Sequence, residues 1–279
     1  MLKDKLTELY NDGSKHSRYQ NIPEFVKKEI GYTEKIDENW RGDTARFDYL
    51  TKTVSFENGL KIGEVGANTG FFILSLAQAN PLSRFYAYEI NDKHAEFIAD
   101  IADAFKMTNV FVKSFGVDLA GIENLEELDI LLNYNVLHHA GVDFDTDMIT
   151  KVEEYEAYVI EYLRRMKAKV KKMVFQIGYN WGGNKLKPII ALQDDAEKIA
   201  FTTRIFKMAG WEIEDISLHT RENEILEYIA LKPEVIEELN NASIGSEKDI
   251  VVNNLDLQRM TNYSEFYRRP IFIVKRKND

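Results

Sequence analysis

Short apolar runs alternate along this chain with longer segments in which apolar side chains recur at helical spacing. The runs predict strands at 61–65, 84–89, 110–112, 128–132, 173–177, 211–216 and 271–274. Between the second and third runs, Phe97, Ile98, Ile101 and Phe105 mark one face of a helix. Strands that alternate with helices indicate a parallel sheet covered on both faces. We therefore predict an α/β fold with a Rossmann-like, doubly wound, seven-stranded, mostly parallel sheet.

Turn residues divide the pattern into three parts. Residues 1–45 are polar and predict a small helical cap, whereas 46–218 and 269–279 form the core. Residues 219–268 separate the last two strands, far more than an ordinary connection of about 4–6 residues. This insertion predicts helices over 222–231 and 233–239, and a lid or substrate-binding role competes with plain surface decoration. A long helix is predicted from about Thr146, and Gly210 should end the helix of residues 195–209.

Composition narrows the class of protein. The formal net charge is −10, so a nucleic acid would be repelled unless a local basic patch existed. The absence of cysteine excludes disulfides and thiolate metal sites, and we predict no metal. No apolar run approaches the roughly 20 residues that span a bilayer, and the N-terminus lacks a secretory apolar core. We therefore expect a cytoplasmic protein that acts on a small-molecule substrate and does not contact a membrane. The sequence leaves open whether the protein forms a homodimer.

The stretch 61–70, Lys-Ile-Gly-Glu-Val-Gly-Ala-Asn-Thr-Gly, leads directly into the apolar segment of a helix. A strand, a glycine-spaced turn and a helix N-terminus together favour a polar ligand, because backbone N–H groups are unpaired there. The dinucleotide fingerprint needs Gly-x-Gly-x-x-Gly, and the spacing of Gly63, Gly66 and Gly70 does not fit it. A phosphate-binding loop needs Gly-Lys-Ser/Thr, which is also missing.

The motif Glu64-x-Gly66-x-x-x-Gly70 resembles the first motif of the class I S-adenosylmethionine-dependent methyltransferases. The resemblance covers about residues 58–180. It includes Glu89, an acid at the end of the second strand, and Asn135-Val-Leu-His-His139 after the fourth, which is similar to the family's "VLHH" signature. Three features in the right order are more specific than one glycine motif. The resemblance implies S-adenosylmethionine as cofactor and S-adenosylhomocysteine as product.

Residue roles follow from this resemblance. The implied cofactor-binding residues are Glu64, Gly66, Asn68, Gly70, Glu89, Ile90, Ser114, Phe115 and Asn135. A ribose diol is well matched by a bidentate carboxylate, which Glu89 provides. A carboxylate such as Glu64 suits a cofactor whose methionine end is cationic.

The acceptor side is less defined. His138 and His139 are the candidate catalytic bases, since a free imidazole has a pKa near about 6.5. His139 is preferred because its counterpart is the more usual histidine of the family pattern, and the other would then be structural. Tyr179, Asn180 and Trp181 are candidate substrate-binding residues, with simple loop packing as the alternative. Tyr19 and Arg41 are further candidates; the segment of Tyr19 is otherwise a solvated linker. A substrate phosphate could be neutralised by an arginine among Arg41, Arg46, Arg204, Arg268 and Arg269, each otherwise a surface charge.

Three functions stay open from the sequence. The rest of the chain more loosely resembles methyltransferases of bacterial surface-polysaccharide (capsule) biosynthesis clusters. The leading hypothesis is O-methylation of a small polar acceptor, either a carbohydrate or a phosphorylated or phosphoramidate metabolite. The second is methylation of tRNA, because the histidine region is also similar to a tRNA wobble-uridine carboxymethyl transferase family. The third is a non-catalytic cofactor-binding partner protein.

Overall fold

The computed structural model describes residues 2–11, 21–32, 42–222, 225–255 and 269–277, so the candidate residues Tyr19, Arg41 and Arg268 lie outside it. The helices are α1 Leu2–Asn11, α2 Glu24–Ile30, α3 Asp43–Thr53, α4 Phe71–Ala79, α5 Asp92–Ala104, α6 Tyr155–Met166, α7 Asp195–Met208, α8 Pro233–Asn241 and α9 Glu247–Asn254. The strands are β1 Lys61–Val65, β2 Arg84–Tyr88, β3 Val110–Lys113, β4 Leu128–Tyr134, β5 Val170–Gln176, β6 Trp211–Glu222, β7 Ile225–Ala230 and β8 Ile271–Arg276. Within these ranges no helix is long and apolar enough to cross a bilayer.

The described strands form one sheet in the order β3-β2-β1-β4-β5-β8-β6-β7. β1, β2 and β3 pair in parallel. The backbone N–H of Asn135, just after β4, donates to the carbonyl of Gln176, the last residue of β5, so these strands also end together. β8 is antiparallel to both β5 and β6, so β6 runs in the direction of β5. The predicted doubly wound α/β fold is confirmed, with eight strands in place of seven.

The additional strand, β7, corrects the prediction of a helix over 222–231. Residues 217–222 of β6 and all of β7 pair as an antiparallel hairpin. Of its side chains that the structure describes, Tyr228 is buried, whereas Glu227, Ile229 and Ala230 are exposed. The β-branched and aromatic content of the segment and its pairing with β6 favour a strand over a helix.

The chain divides into two compact units, of which residues 1–117 with 128–132 form the first. The almost continuous apolar sequence of α4 is buried along most of its length. α5 buries its predicted apolar face, and Asn91 caps its N-terminus by accepting bonds from the N–H groups of Lys93 and His94. At the start of α3, Asp43 accepts a 2.7 Å bond from the N–H of Asn21 and forms a buried ion pair with Arg46.

Residues 118–127 and 133–279 form the second unit. Its core contains Phe206, whose ring packs edge-on against Phe175 and lies 6.0 Å from the ring of Phe272. The buried indole of Trp211 donates a 2.9 Å bond to the carbonyl of Leu163. The helix predicted from about 146 begins only at 155. The Asp145 carboxylate before it accepts bonds from the Leu119 N–H and the Tyr158 hydroxyl, and a short 3₁₀ helix, Val152–Glu154, leads into α6.

Candidate active site

In the first unit, the glycine-spaced loop leaves β1 and reverses over the end of β2. Gly66, Asn68 and Gly70 all have positive φ angles, of 66°, 51° and 83°. The N–H groups of Gly66 and Ala67 donate to the Tyr88 carbonyl at 2.8 and 3.2 Å, which fastens the loop to β2. The loop is therefore a fixed backbone turn at the N-terminus of α4, where a polar ligand can approach the main chain.

Gly70 is expected to tolerate no side chain. A Cβ there would lie 2.7 Å from Cδ1 of Leu74 and 3.0 Å from Cγ1 of Ile98, and its φ is 83°. Gly59 has a φ of 84° and no atom within 4 Å of such a Cβ, so Gly59→Ala carries the same backbone strain without the crowding. Thermal unfolding should show that Gly59→Ala lowers the free energy of unfolding by about 1–2 kcal/mol, the cost of the backbone strain. Gly70→Ala should lower it clearly further, because crowding adds to the strain. Equal losses would contradict the packing argument.

Glu89 occupies the carboxyl end of β2 beside this loop. It is only 6% exposed. One carboxylate oxygen accepts a 2.7 Å bond from the Asn68 N–H, and the other accepts a 2.8 Å bond from the Asn91 N–H. Burial raises the pKa of Glu89, and the bonds from Asn91, Asn68 and Ile90 partly oppose the rise. Because a carboxylate has about four acceptor positions, these backbone bonds orient Glu89 and leave it able to accept more.

Glu64 lies at the end of β1, just before the glycine-spaced loop. Its side chain is buried at the end of β1, and one oxygen accepts a 3.0 Å bond from the N–H of Ile73 in the first turn of α4. It therefore caps the helix N-terminus in the manner of a first-turn carboxylate. Burial, with a smaller effect from the charge of Glu89, holds the pKa of Glu64 well above its usual range, although the Ile73 bond and Arg46 lower it.

The raised pKa of Glu64 gives a stability prediction with a defined sign. The folded protein binds the proton of Glu64 more tightly than the unfolded chain, where a glutamate has a pKa of about 4.3. The stability from this proton is fully present below that value and is lost as pH rises through the folded pKa. Glu64→Gln cannot ionise and keeps an oxygen for Ile73. Urea unfolding should show the variant gaining stability relative to wild type as pH increases from 4.3 towards 8.

Replacement of the exposed Glu127 by glutamine is the control for this experiment, and the change with pH is expected to be larger for Glu64→Gln than for Glu127→Gln. A Glu64→Gln difference that is flat, or that shrinks as pH rises, would show that Glu64 is not a strained buried acid.

The remaining predicted cofactor residues of this unit lie just after β2 and β3. Ile90 is 65% exposed, and its Cδ1 atom is 2.9 Å from the point where Gly116 would carry a Cβ. Ser114 donates a 2.6 Å bond to the carboxylate of Asp92 at the start of α5. Phe115 packs edge-on against Tyr88, with ring centroids 5.5 Å apart. An exposed apolar side chain beside a glycine suits a flat apolar ring.

In the second unit, Asn135 is held in an unusual conformation at the end of β4. Its φ is 58°, which is uncommon for a residue other than glycine. Its side-chain amide donates to the Gln176 side chain at 2.9 Å, and its side-chain oxygen accepts a 2.8 Å bond from Nη1 of Arg269. Together with the Asn135–Gln176 backbone bond, these contacts fix the turn that leads to the two histidines.

The two histidines have different surroundings, although their ring centroids are only 4.2 Å apart. His138 is 3% exposed, and its Nδ1 atom accepts a 3.3 Å bond from the N–H of Gly178. A neutral imidazole whose Nδ1 accepts carries its proton on Nε2. His138 therefore presents a hydrogen-bond donor.

His139 is more accessible and pairs with an acid. Its Nδ1 atom lies 2.7 Å from the Asp143 carboxylate. The carboxylate therefore faces Nδ1, although Nδ1 does not meet hydrogen-bond geometry. A carboxylate at Nδ1 favours the tautomer whose Nε2 carries no proton and is the basic nitrogen of the ring. Of the two, His139 has the arrangement of a base.

The predicted substrate residues 179–181 are packed into the second unit. Tyr179 is fully buried, and its hydroxyl lies 2.8 Å from that of Thr202. Asn180 accepts a 2.7 Å bond from the side chain of Gln193. The buried Trp181 donates a 2.6 Å bond to the Ala140 carbonyl. These contacts fit the alternative of loop packing, in which Trp181 supports the turn that follows the histidines.

The candidate arginines are also separated by the structure. Arg46 pairs with Asp43, and Arg204 forms a two-bond pair with Glu156 at 2.8 and 3.1 Å. Arg269 lies at the histidine turn.

The sequence patterns did not predict a role for Asp143, Gln176 or Gly178. Only the four-residue spacing of His139 and Asp143 could have been noticed beforehand. No group of three or more metal-ligating side chains occurs in the described ranges.

Comparisons with known proteins define the class of fold. No family model matches the sequence, and no curated protein matches it. The solved structure of StiE O-MT covers 92% of this chain and 83% of its own, with 10% identity and a TM-score of 0.50. The magnesium protoporphyrin IX methyltransferase of Synechocystis, solved with bound SAM, covers 99% of this chain and 91% of its own, with 12% identity and a TM-score of 0.48. The bifunctional kinase-methyltransferase WbdD covers 64% of this chain, with 16% identity and a TM-score of 0.45.

The chain thus has the class I methyltransferase fold, as the StiE O-MT likeness shows. The match takes in only 37% of the length of WbdD. At these identities the likeness concerns the fold, so activity and cofactor have to be argued from side chains.

Proposed function

We propose that the chain is an S-adenosylmethionine-dependent methyltransferase that O-methylates a small polar acceptor. The observation that carries the proposal is Glu89, a buried carboxylate fixed by two backbone N–H groups at the carboxyl end of β2, beside a positive-φ glycine loop. In open α/β sheets, ligands bind outside the carboxyl ends of the strands, and an acid there binds ribose hydroxyls.

The residues of the first unit fit this cofactor. Glu89 would accept from the ribose diol, the loop of Gly66 to Gly70 would hold the methionine part, and the exposed Ile90 would pack on the adenine. The hydroxyl of Thr69, buried within the loop, has no hydrogen-bond partner among the described residues, as expected of a group placed to meet a ligand. When bound, the cofactor supplies an electrophilic methyl group.

The residues of the second unit fit the proton transfer that a hydroxyl acceptor needs. His139, with Asp143 at Nδ1, would take the hydroxyl proton on Nε2, and His138 would donate a hydrogen bond from its own Nε2. Asn135 and Trp181 hold this turn from its two ends. Positioning by such fixed elements supplies much of the rate of group transfer.

The acceptor class rests on charge and on the sequence resemblance. A net charge of −10 disfavours a polyanion such as tRNA and favours a small molecule. The looser resemblance to capsule-cluster enzymes favours a carbohydrate or a phosphorylated or phosphoramidate metabolite. The chain would then act on a precursor of a surface polysaccharide.

Label transfer tests the function. Methyl-labelled S-adenosylmethionine is incubated with the protein and either the ultrafiltered small-molecule fraction of a bacterial extract or bulk tRNA. Label should enter the small-molecule fraction, and Glu89→Ala should abolish the transfer. Transfer of label to tRNA would contradict the proposal, and so would a result in which neither fraction is labelled.

A further inference from the structure

The first unit buries an ion pair at the start of α3. The Asp43 side chain is fully buried, only 5% of the Arg46 side chain is exposed, and the guanidinium pairs with one oxygen of the carboxylate. The other oxygen accepts a 2.7 Å bond from the backbone N–H of Asn21. Because taking two charges out of water is costly, a buried ion pair is weak evidence for stability alone. The pair is therefore expected to have a role beyond holding α3 in place.

Arg46 lies against the first turn of α4. Its guanidinium carbon is 5.4 Å from the centre of the Phe72 ring. The ring of Phe47, the next residue of α3, lies 5.6 Å from that of Phe71. Phe71 and Phe72 begin α4 and come directly after Gly70, the last residue of the glycine-spaced loop. α3 thus packs on the end of the helix to which this loop leads.

Glu64 closes the same loop from its other end. It lies two residues before Gly66, and its carboxylate accepts the bond from the N–H of Ile73. One side chain therefore joins the strand that enters the loop to the helix that leaves it. Arg46 and Glu64 contact adjacent residues of the first turn of α4, Phe72 and Ile73.

Arg46 also acts on Glu64 through its charge. Burial is the main reason why the pKa of Glu64 is raised, and the nearby carboxylates of Glu89 and Asp43 raise it further. The bond from Ile73 and the charge of Arg46 lower it. A cation beside a buried acid stabilises the charged form of that acid. Arg46 therefore reduces the cost of a carboxylate charge at the base of the loop.

We propose that Arg46 is a positioning residue of the cofactor site, which acts through Glu64 to hold the glycine-spaced loop for the methionine part of the cofactor. This inference rests on the proposed function and deepens it, because it adds α3 to the cofactor site. Asp43 fixes Arg46, Arg46 stabilises the Glu64 carboxylate, and Glu64 joins the two ends of the loop. Since the methionine part of S-adenosylmethionine is cationic, a carboxylate charge near it favours binding.

A double-mutant cycle on the binding of labelled S-adenosylmethionine tests this role. Arg46→Met removes the charge but keeps an unbranched side chain to pack on Phe72, and Arg46→Lys keeps the charge. Each change is made in the wild-type chain and together with Glu64→Gln, which cannot ionise. Arg84→Met removes an exposed arginine of β2 in the same unit and is the matched control. Equilibrium dialysis gives the dissociation constant, and circular dichroism and thermal unfolding establish that each variant is folded.

We expect Arg46→Met to raise the dissociation constant about tenfold or more, which corresponds to about one pKa unit of interaction with Glu64. Arg46→Lys and Arg84→Met should stay within about threefold of wild type. With Glu64→Gln present, Arg46→Met should change the dissociation constant less than about threefold, because Arg46 then has no carboxylate to act on. A purely structural role predicts the same loss in both backgrounds. That result, or wild-type binding by Arg46→Met, would overturn the proposal.

Asp43→Asn gives a second, milder variant in case Arg46→Met does not fold. It keeps an oxygen for the N–H of Asn21 and removes the charge that holds Arg46. The dissociation constant should rise about threefold or more when Glu64 is present and should not change in Glu64→Gln. No change in either background, or an equal rise in both, would count against the proposal. If wild-type protein binds neither S-adenosylmethionine nor S-adenosylhomocysteine, the proposed function itself fails.

Discussion

Glu89→Ala is expected to weaken S-adenosylmethionine binding about a hundredfold or more. Each hydrogen bond between a carboxylate and a ribose hydroxyl contributes about 1.5–3 kcal/mol, so loss of two corresponds to two decades or more in affinity. The variant also removes the acceptors of the Asn68 and Asn91 N–H groups, which loosens the glycine loop. Equilibrium dialysis with labelled cofactor measures the change.

The exposed Glu127→Ala is the control for this measurement and should bind the cofactor as wild type does. Thermal unfolding of Glu89→Ala shows whether enough folded protein is present for the comparison. A dissociation constant within threefold of wild type in folded Glu89→Ala would remove the assignment of Glu89 to the ribose.

His139→Gln is expected to reduce methyl transfer about 10²–10⁴-fold while leaving cofactor affinity unchanged, because a general base acts on the reaction and not on cofactor binding. Asp143→Asn should reduce transfer by a smaller factor of about ten, since it orients His139 without taking the proton. Label transfer into the small-molecule fraction measures the rate, and equilibrium dialysis measures the affinity.

Asp147→Asn is the matched control, because Asp147 is an exposed aspartate four residues beyond Asp143. It should retain wild-type transfer. If His139→Gln transfers methyl groups at the wild-type rate, His139 is not the general base, and its contact with Asp143 has no role in catalysis.

The sequence was most informative where function depends on neighbours along the chain. The glycine loop, the apolar α4 and the cap at Asn91 are local features, and each lies where the pattern predicted it. Glu89 could also be predicted from the sequence, since the pattern places an acid directly after a strand. The order of these strands and helices was enough to predict the fold class.

Contacts between residues far apart in the chain could not be predicted from the sequence. The Asn135–Arg269 bond joins residues 134 positions apart, and no periodicity singles out one arginine from the others. Glu64 carries a motif position, yet its environment makes it a buried helix cap. Tyr179 and Trp181 follow a strand end, where a site was expected, but both are buried in the second unit. Burial and partner choice come from tertiary packing, which a pattern of residue types does not contain.

The insertion before β8 also combines a local feature that the sequence predicted with a strand that depends on distant pairing. Pro233 begins α8 as its position in the pattern predicted. The preceding segment contains both helix-forming and strand-forming residues, and pairing with β6 decides in favour of β7. A hairpin partner already present in the sheet outweighs local propensity.

Calorimetric titration of the wild-type protein with S-adenosylhomocysteine tests the central claim most directly. The loop of Gly66 to Gly70 and the oriented carboxylate of Glu89 are expected to give saturable binding with one site per chain. ATP and NAD, which share the adenosine but lack the amino-acid part, should bind far more weakly. No binding of S-adenosylhomocysteine, or equal binding of all three ligands, would contradict the account.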